Sequence, residues 1–217
     1  MHKNLMSKIL DSPTAPIFLE ELQSKLENEK KERIDFYNKI TEQQKAEFIN
    51  GTIIFHSPTK KMHIDVSGNL CQIIATFVVE YDLGFVGIEK ILVQFTRNDY
   101  EPDLCFFDKE KAKKFKNEQS LFPVPDMVVE ILSKGTASRD RGVKYDDYES
   151  HGVKEYWIID PKKKMIEQYL NGNSGFELNL KSNSGEIKSI AIKNLTIPIK
   201  AVFSEKLTHQ FVKGIFK

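Results

Sequence analysis

Two acidic residues stand inside runs that otherwise read as buried strands. Asp103 interrupts "EPDLCFF" and Glu130 interrupts "PDMVVEILS". An unpaired buried carboxylate costs several kcal/mol, roughly, unless it is neutralised, hydrogen-bonded or bound to a cation. The two acids lie 130 − 103 = 27 positions apart, the span of two neighbouring strands joined by the charged stretch between them. If those strands pair, both carboxylates project from the same edge. Like charges a few Å apart repel, which raises one pKa or demands a cation between them. Oxygen ligands in that arrangement suit Mg²⁺ or Mn²⁺. A lysine nearby would orient a water or stabilise charge developing on a phosphoryl group. The plainer reading of the same pair is a structural salt bridge.

The surrounding pattern supplies the elements that must position these acids. Residues 1–40 form a charged, helix-prone appendage in which Leu19, Leu22 and Leu26 make one apolar stripe, to pack on the main body or on a partner subunit. The main domain, 41–217, starts near "AEFINGTIIFHSP", where Asn50-Gly51 between two apolar runs is a hairpin signal. From Lys60 to Asp82 the positions Ile64, Cys71, Ile74 and Val78 predict an amphipathic helix, broken by Gly84. Strands follow at "FVGIEKILVQF", "PDLCFF", "DMVVEIL" and "EYWIID". Between them lie a charged loop or short helix over 108–120 and a helix over 138–150, stopped by Gly152. The tail from Met165 onwards reads as a hairpin. This order predicts a mixed α/β (α+β) fold, a central mixed sheet flanked by helices.

Composition narrows the function classes. The 217 residues carry 32 basic and 31 acidic side chains, so nucleic acid or anionic lipid would have to be held by a local patch. The lysines of 109–116 and 162–164 are the candidates for such a patch. Cys71 and Cys105 have no CxxC spacing and read as free thiols in a reducing compartment. The sequence shows no apolar run of signal-peptide or membrane-spanning length, so a cytoplasmic protein with no membrane partner is expected. The histidines at 2, 56, 151 and 209 lack ligand spacing, which argues against zinc. Asp160, before Pro161, reads as a turn residue. Asp140, Lys144 and Tyr148 fall at i, i+4 and i+8, one face of one helix.

The runs "EPDLCFF", "PDMVVEILS" and "SRDRGVKYDDYESHGVKEYWIIDP", with "EFINGTIIFHSP" and His63 upstream, resemble the Uma-two family of restriction endonucleases. That family is similar to the wider PD-(D/E)XK nuclease superfamily. The resemblance covers roughly residues 42–205. It implies a restriction-endonuclease-like core that acts on nucleic acid, DNA first, with Mg²⁺ or Mn²⁺ held by Asp103 and Glu130. It also matches Glu47 to a family glutamate. His63 falls where superfamily nucleases often carry a first acidic residue, and structural roles are the alternative for both. The superfamily lysine belongs two positions after the second acid, and Leu132 stands there. Lys144 matches a lysine the family carries on the following helix and is the preferred replacement. Lys134 is the other candidate, on the same face as Glu130 only if the strand runs through to Gly135. The catalytic set is thus Asp103, Glu130 and Lys144, with Glu47, His63 and Lys134 as accessories and a homodimer as one expected assembly. A module that keeps the fold and binds without cleaving is the competing expectation.

Overall fold

The computed structural model describes residues 2–41 and 43–216. In chain order its elements are α1 (His2–Leu10), α2 (Ala15–Lys39), β1 (Ala46–Ile49), β2 (Thr52–Phe55), α3 (Lys61–Glu80), β3 (Gly84–Ile88), β4 (Leu92–Gln94), β5 (Asp99–Tyr100) and β6 (Leu104–Asp108). After them come α4 (Lys109–Ala112), β7 (Leu121–Phe122), β8 (Met127–Ile131), α5 (Ala137–Asp140), α6 (Val143–Ser150), β9 (Glu155–Asp160) and β10 (Met165–Gly172). The chain closes with β11 (Gly175–Ser182), β12 (Glu186–Lys188), β13 (Thr196–Pro198), α7 (Ile199–Val202) and α8 (Glu205–Ile215).

The main sheet has the order β11-β10-β9-β8-β6-β3, antiparallel throughout except for the parallel pair β8/β9. Those two central strands are buried on both faces, which explains their nearly unbroken apolar sequences. On one face α3 and the C-terminal segment pack Leu70, Ile73, Val78, Ile187, Ile197 and Val202 against Val129, Trp157 and Ile159. On the other, α6 and a smaller sheet pack Tyr148, Tyr100, Phe95 and Val93 against Val128, Tyr156 and Ile158. β6 and β8 pair antiparallel with Leu104 opposite Val129, so one further step of that register sets Asp103 opposite Glu130. The acids share the second face, as their strand positions led one to expect.

The smaller sheet, β2-β1-β5-β4-β7, begins with the predicted hairpin. Asn50 and Gly51 both have positive φ, 49° and 78°, as a type I′ turn requires. The last turns of α2 brace this sheet. Phe36 is buried against Phe48, and Arg33 forks onto the fully buried Asp99 carboxylate, which also accepts from the Tyr37 hydroxyl. The opposite end of α2 behaves differently. Leu19 and Leu22, expected to pack on the body or a partner, are each 55% exposed.

Three further sequence expectations are corrected. The buried face of α3 is His63, Val66, Leu70, Ile73, Ile74 and Val78, with Ile64 turned outwards. By length and composition α3 could cross a membrane, although no run of that reach was expected, but its apolar face is core here. The tail is more than a hairpin: beyond β10/β11 it folds β12/β13, α7 and α8 over the sheet. Glu155 fastens that cover. Its buried carboxylate accepts from Trp157 Nε1, Gln168 Nε2, Ser189 Oγ and the backbone N–H groups of Ile190 and Ala191, at 2.6–2.9 Å.

Candidate functional site

The site forms where β1, β8 and the α5–α6 segment meet. Lys144, on α6, is 1% exposed, and its Nζ lies 2.7 Å from Glu47 Oε1, 3.0 Å from Glu130 Oε1 and 3.6 Å from Asp140 Oδ1. The Tyr148 hydroxyl donates to the same Glu130 oxygen at 2.8 Å. The Tyr100 ring, 5.6 Å from Nζ, adds its π face to the cage. Glu47 is held in turn by the Glu101 backbone N–H at 3.1 Å and by His56, whose Nε2 is 3.1 Å from Oε2. One lysine thus ties together acids from three separate elements.

Asp103 is placed just beyond that knot. Its Oδ2 accepts from the Ile131 N–H at 2.7 Å and lies 3.2 Å from His63 Nε2, while Oδ1 is 3.3 Å from Lys45 Nζ. The Ile131 contact locks the carboxylate beside Glu130, because it uses the very next backbone group on β8.

Burial and charge set the protonation of the cluster. Burial raises every carboxyl pKa, and what differs is how much a neighbour returns. For Glu47 burial is outweighed by the Lys144 ammonium and then His56, which hold it down at about 2. For Asp103 burial is outweighed by the His63 hydrogen bond, the Lys45 charge and the Ile131 N–H, again to about 2. For Glu130 burial wins over Lys144 and, with Asp140 and Asp103 repelling, lifts it to about 8. Asp140 and Glu101 are also raised, chiefly by burial, Glu101 to about 7. Burial opposes the Lys144 charge too, but its three carboxylates keep the ammonium well above its usual pKa. A single buried cation matches one carboxylate fully, and the remainder drift towards the neutral acid.

Of the residues singled out from sequence, Asp103, Glu130, Lys144, Glu47 and His63 come together. Lys134 does not: β8 ends at Ile131, and Lys134 is exposed in the following turn. Asp140, Lys144 and Tyr148 do share one side, but of two helices, because Gly142, with φ −123° and ψ −107°, separates α5 from α6. Lys45, Glu101 and His56 went unrecognised. Each sits at a strand end of the small sheet, where no periodicity marks it, although Lys45 and His56 flank the hairpin that carries Glu47. Asp160 keeps its turn role, accepting from the N–H groups of Lys162 and Lys163. The lysines of the 109–116 run are partly spent on ion pairs, Lys109 with Asp82, Lys111 with Asp126 and Lys113 with Glu110.

The donor set bears on a metal. Among the described residues no three His, Cys, Asp or Glu side chains gather closely enough to cage an ion. Mg²⁺, however, is commonly held by one or two carboxylates, its remaining positions taken by water and substrate phosphates. Asp103 and Glu130, hard oxygen donors side by side on neighbouring strands, fit that arrangement. The protein's own cations, Lys45 and Lys144, now meet those charges.

Comparison with known proteins places this geometry in a family. A solved structure from Anabaena variabilis ATCC 29413, described as a putative nuclease belonging to DUF820, is similar with a TM-score of 0.67 at 20% identity. The match covers 80% of this chain and 97% of that one, and it shows a shared fold. An uncharacterized protein from Synechocystis sp. (strain ATCC 27184 / PCC 6803 / Kazusa) is 26% identical over 129 residues, 58% of this chain and 72% of the relative. The Uma2 family, described as "Putative restriction endonuclease", matches residues 32–199, from the last turns of α2 to the start of α7. With that match spanning well over half its length, and the acids and the lysine inside it, this chain belongs to the Uma2 family.

Proposed function

We propose that this protein hydrolyses phosphodiester bonds of nucleic acid, DNA first, in a reaction that depends on Mg²⁺ or Mn²⁺. The observation that carries this reading is Lys144, fixed between Glu130 and Glu47 beside Asp103. Such a group has the chemistry to meet a polyanionic substrate and is positioned by three carboxylates. A divalent cation on Asp103 and Glu130 would supply Lewis acidity and a water of lowered pKa. The chain's own groups prepare for it. His63 and the Ile131 N–H orient Asp103, Tyr148 orients Glu130, and Glu130 and then Glu47 keep Lys144 charged against burial so that it can stabilise charge on the phosphoryl oxygens.

The competing reading, a module that binds without turnover, draws on the same network. Lys144 is almost fully enclosed, and its charge is already met by carboxylates. A nuclease assay on plasmid and single-stranded DNA with Mn²⁺ separates the two. Cleavage by the wild type that Asp103→Asn abolishes is the expected result. No cleavage of any substrate by the wild type, with binding retained, would favour the module.

A further inference from the structure

Asp103 and Glu130 are the first two members of a longer row. In the sheet register Glu130 pairs with Ile158, Ile158 with Glu167, and Glu167 with Lys181. Directly paired residues point to one face, so the row crosses five strands on the side that carries the site. Neighbouring strands are about 4.8 Å apart, which puts Glu167 roughly 10 Å and Lys181 roughly 14 Å from Glu130.

Above the far end of the row lies Arg141, next in sequence to Asp140 of the lysine knot. It pairs with Glu167, whose other oxygen is 2.9 Å from Lys181 Nζ. A surface cavity of about 300 Å³ is lined by Arg141, Asp160, Lys163, Met165, Glu167 and Lys181. A second, of about 230 Å³, shares Arg141 and reaches Ile158, Tyr145 and Tyr169, back towards Glu130.

The charges in this groove are layered. The side chains of Arg141, Lys163 and Lys181 are 41%, 76% and 56% exposed, whereas Glu167 is 6% and Asp160 22% exposed. Asp160 is further engaged by two backbone N–H groups, and Glu167 by the Tyr169 hydroxyl. The carboxylates therefore lie beneath and steady the cations, and the groove presents positive charge to solvent. At a rise of about 3.4 Å per nucleotide, 10–14 Å corresponds to roughly three to four nucleotides.

We propose that Arg141, Lys163 and Lys181 form a subsite for the phosphate backbone of a nucleic-acid strand that follows the exposed rim of the sheet beyond α5, roughly 10–14 Å from Glu130, with Ile158 and the other buried members of the row beneath it. The inference rests on the nuclease reading, which it deepens by naming where the strand lies. Phosphate contacts fix register and orientation without reading sequence, which suits a groove of exposed cations.

The test is the salt dependence of binding, by fluorescence anisotropy of a labelled DNA oligonucleotide in EDTA so that nothing is cleaved. Lys181→Met and Arg141→Met should each weaken binding several-fold and flatten the slope of log K against log salt by about 1. Arg141→Lys and Lys181→Arg should preserve the slope. Lys193→Met, an exposed lysine in the C-terminal cover, should change nothing. Because Arg141 and Lys181 both pair with Glu167, Lys163→Met, which leaves Glu167 untouched and should flatten the slope likewise, is the cleaner variant. Wild type and variants sharing one slope and one affinity would overturn the subsite while leaving the nuclease reading intact. A wild type that binds no nucleic acid at low salt would also overturn the subsite, and the plasmid assay with Mn²⁺ then decides the nuclease reading by itself.

Discussion

Glu130→Gln in the absence of metal probes the electrostatics of the site most directly. Glu130 is 3% exposed, and burial raises its carboxyl from 4.5 to about 8 despite the nearby Lys144. A raised folded-state pKa means that the native protein holds a proton the unfolded chain has released. The associated stability is fully present below pH 4.5 and is lost as pH rises to about 8. One pKa unit corresponds to about 1.4 kcal/mol, so the wild type should lose roughly 3–5 kcal/mol over that window through this residue. Glutamine keeps an oxygen to accept from Tyr148 and Lys144 but has nothing to ionise. Urea unfolding at pH 5 and pH 9 in EDTA is the assay. Relative to the wild type, Glu130→Gln should gain roughly 3–5 kcal/mol between the two pH values. Glu101, also raised, to about 7, contributes to both proteins and cancels in the comparison. Parallel pH profiles would show that Lys144 keeps Glu130 ionised throughout and that the balance of burial and charge argued above is wrong.

Other outcomes follow from the same geometry. Lys144→Met removes the cation that holds Glu47 ionised, donates to Glu130 and neighbours Asp140, and should cost about 3–5 kcal/mol in urea unfolding at pH 7, since breaking a buried pair leaves its charge uncompensated. Where it still folds, cleavage should fall by roughly 10²- to 10³-fold. Lys134→Met, in the exposed turn, should stay within about 0.5 kcal/mol of wild type and leave the cleavage rate unchanged. Mn²⁺ at 100-fold its Kd should stabilise the wild type by about 2.7 kcal/mol in thermal melts, and Asp103→Asn should abolish the shift. Equal shifts in both proteins would put the metal elsewhere.

Local sequence rules made much of this fold legible. Asn50-Gly51 sets a hairpin through backbone sterics alone, and the 27-residue spacing of two strand acids matched two neighbouring strands, whose observed register then sets the acids opposite each other. Lys45, His56 and Glu101 stayed hidden for a physical reason. They come from ends of short strands, and only packing of the small sheet on the large one brings them to the site. The outward-facing Leu19 and Leu22 show the converse limit, since an apolar stripe says what should be buried but not whether this chain supplies the cover. The i, i+4, i+8 spacing of Asp140, Lys144 and Tyr148 survived a break at Gly142 because α5 and α6 keep those three on one side.

Glu155 has a consequence for the order in which a ribosome delivers this chain. The carboxylate enters the central sheet with β9, but three of its five donors, Ser189 Oγ and the N–H groups of Ile190 and Ala191, emerge some thirty residues later. Until they arrive, the strand can bury that charge only at a penalty of several kcal/mol, roughly. A chain interrupted before Ser189 would lack those donors together with the segment that covers this face, and Glu155 would stand open to water instead of closing the core. Limited proteolysis of stalled ribosome complexes should show β8 and β9 becoming protected only after this segment clears the exit tunnel. Protection appearing before Ser189 is exposed would mean the charge is met some other way.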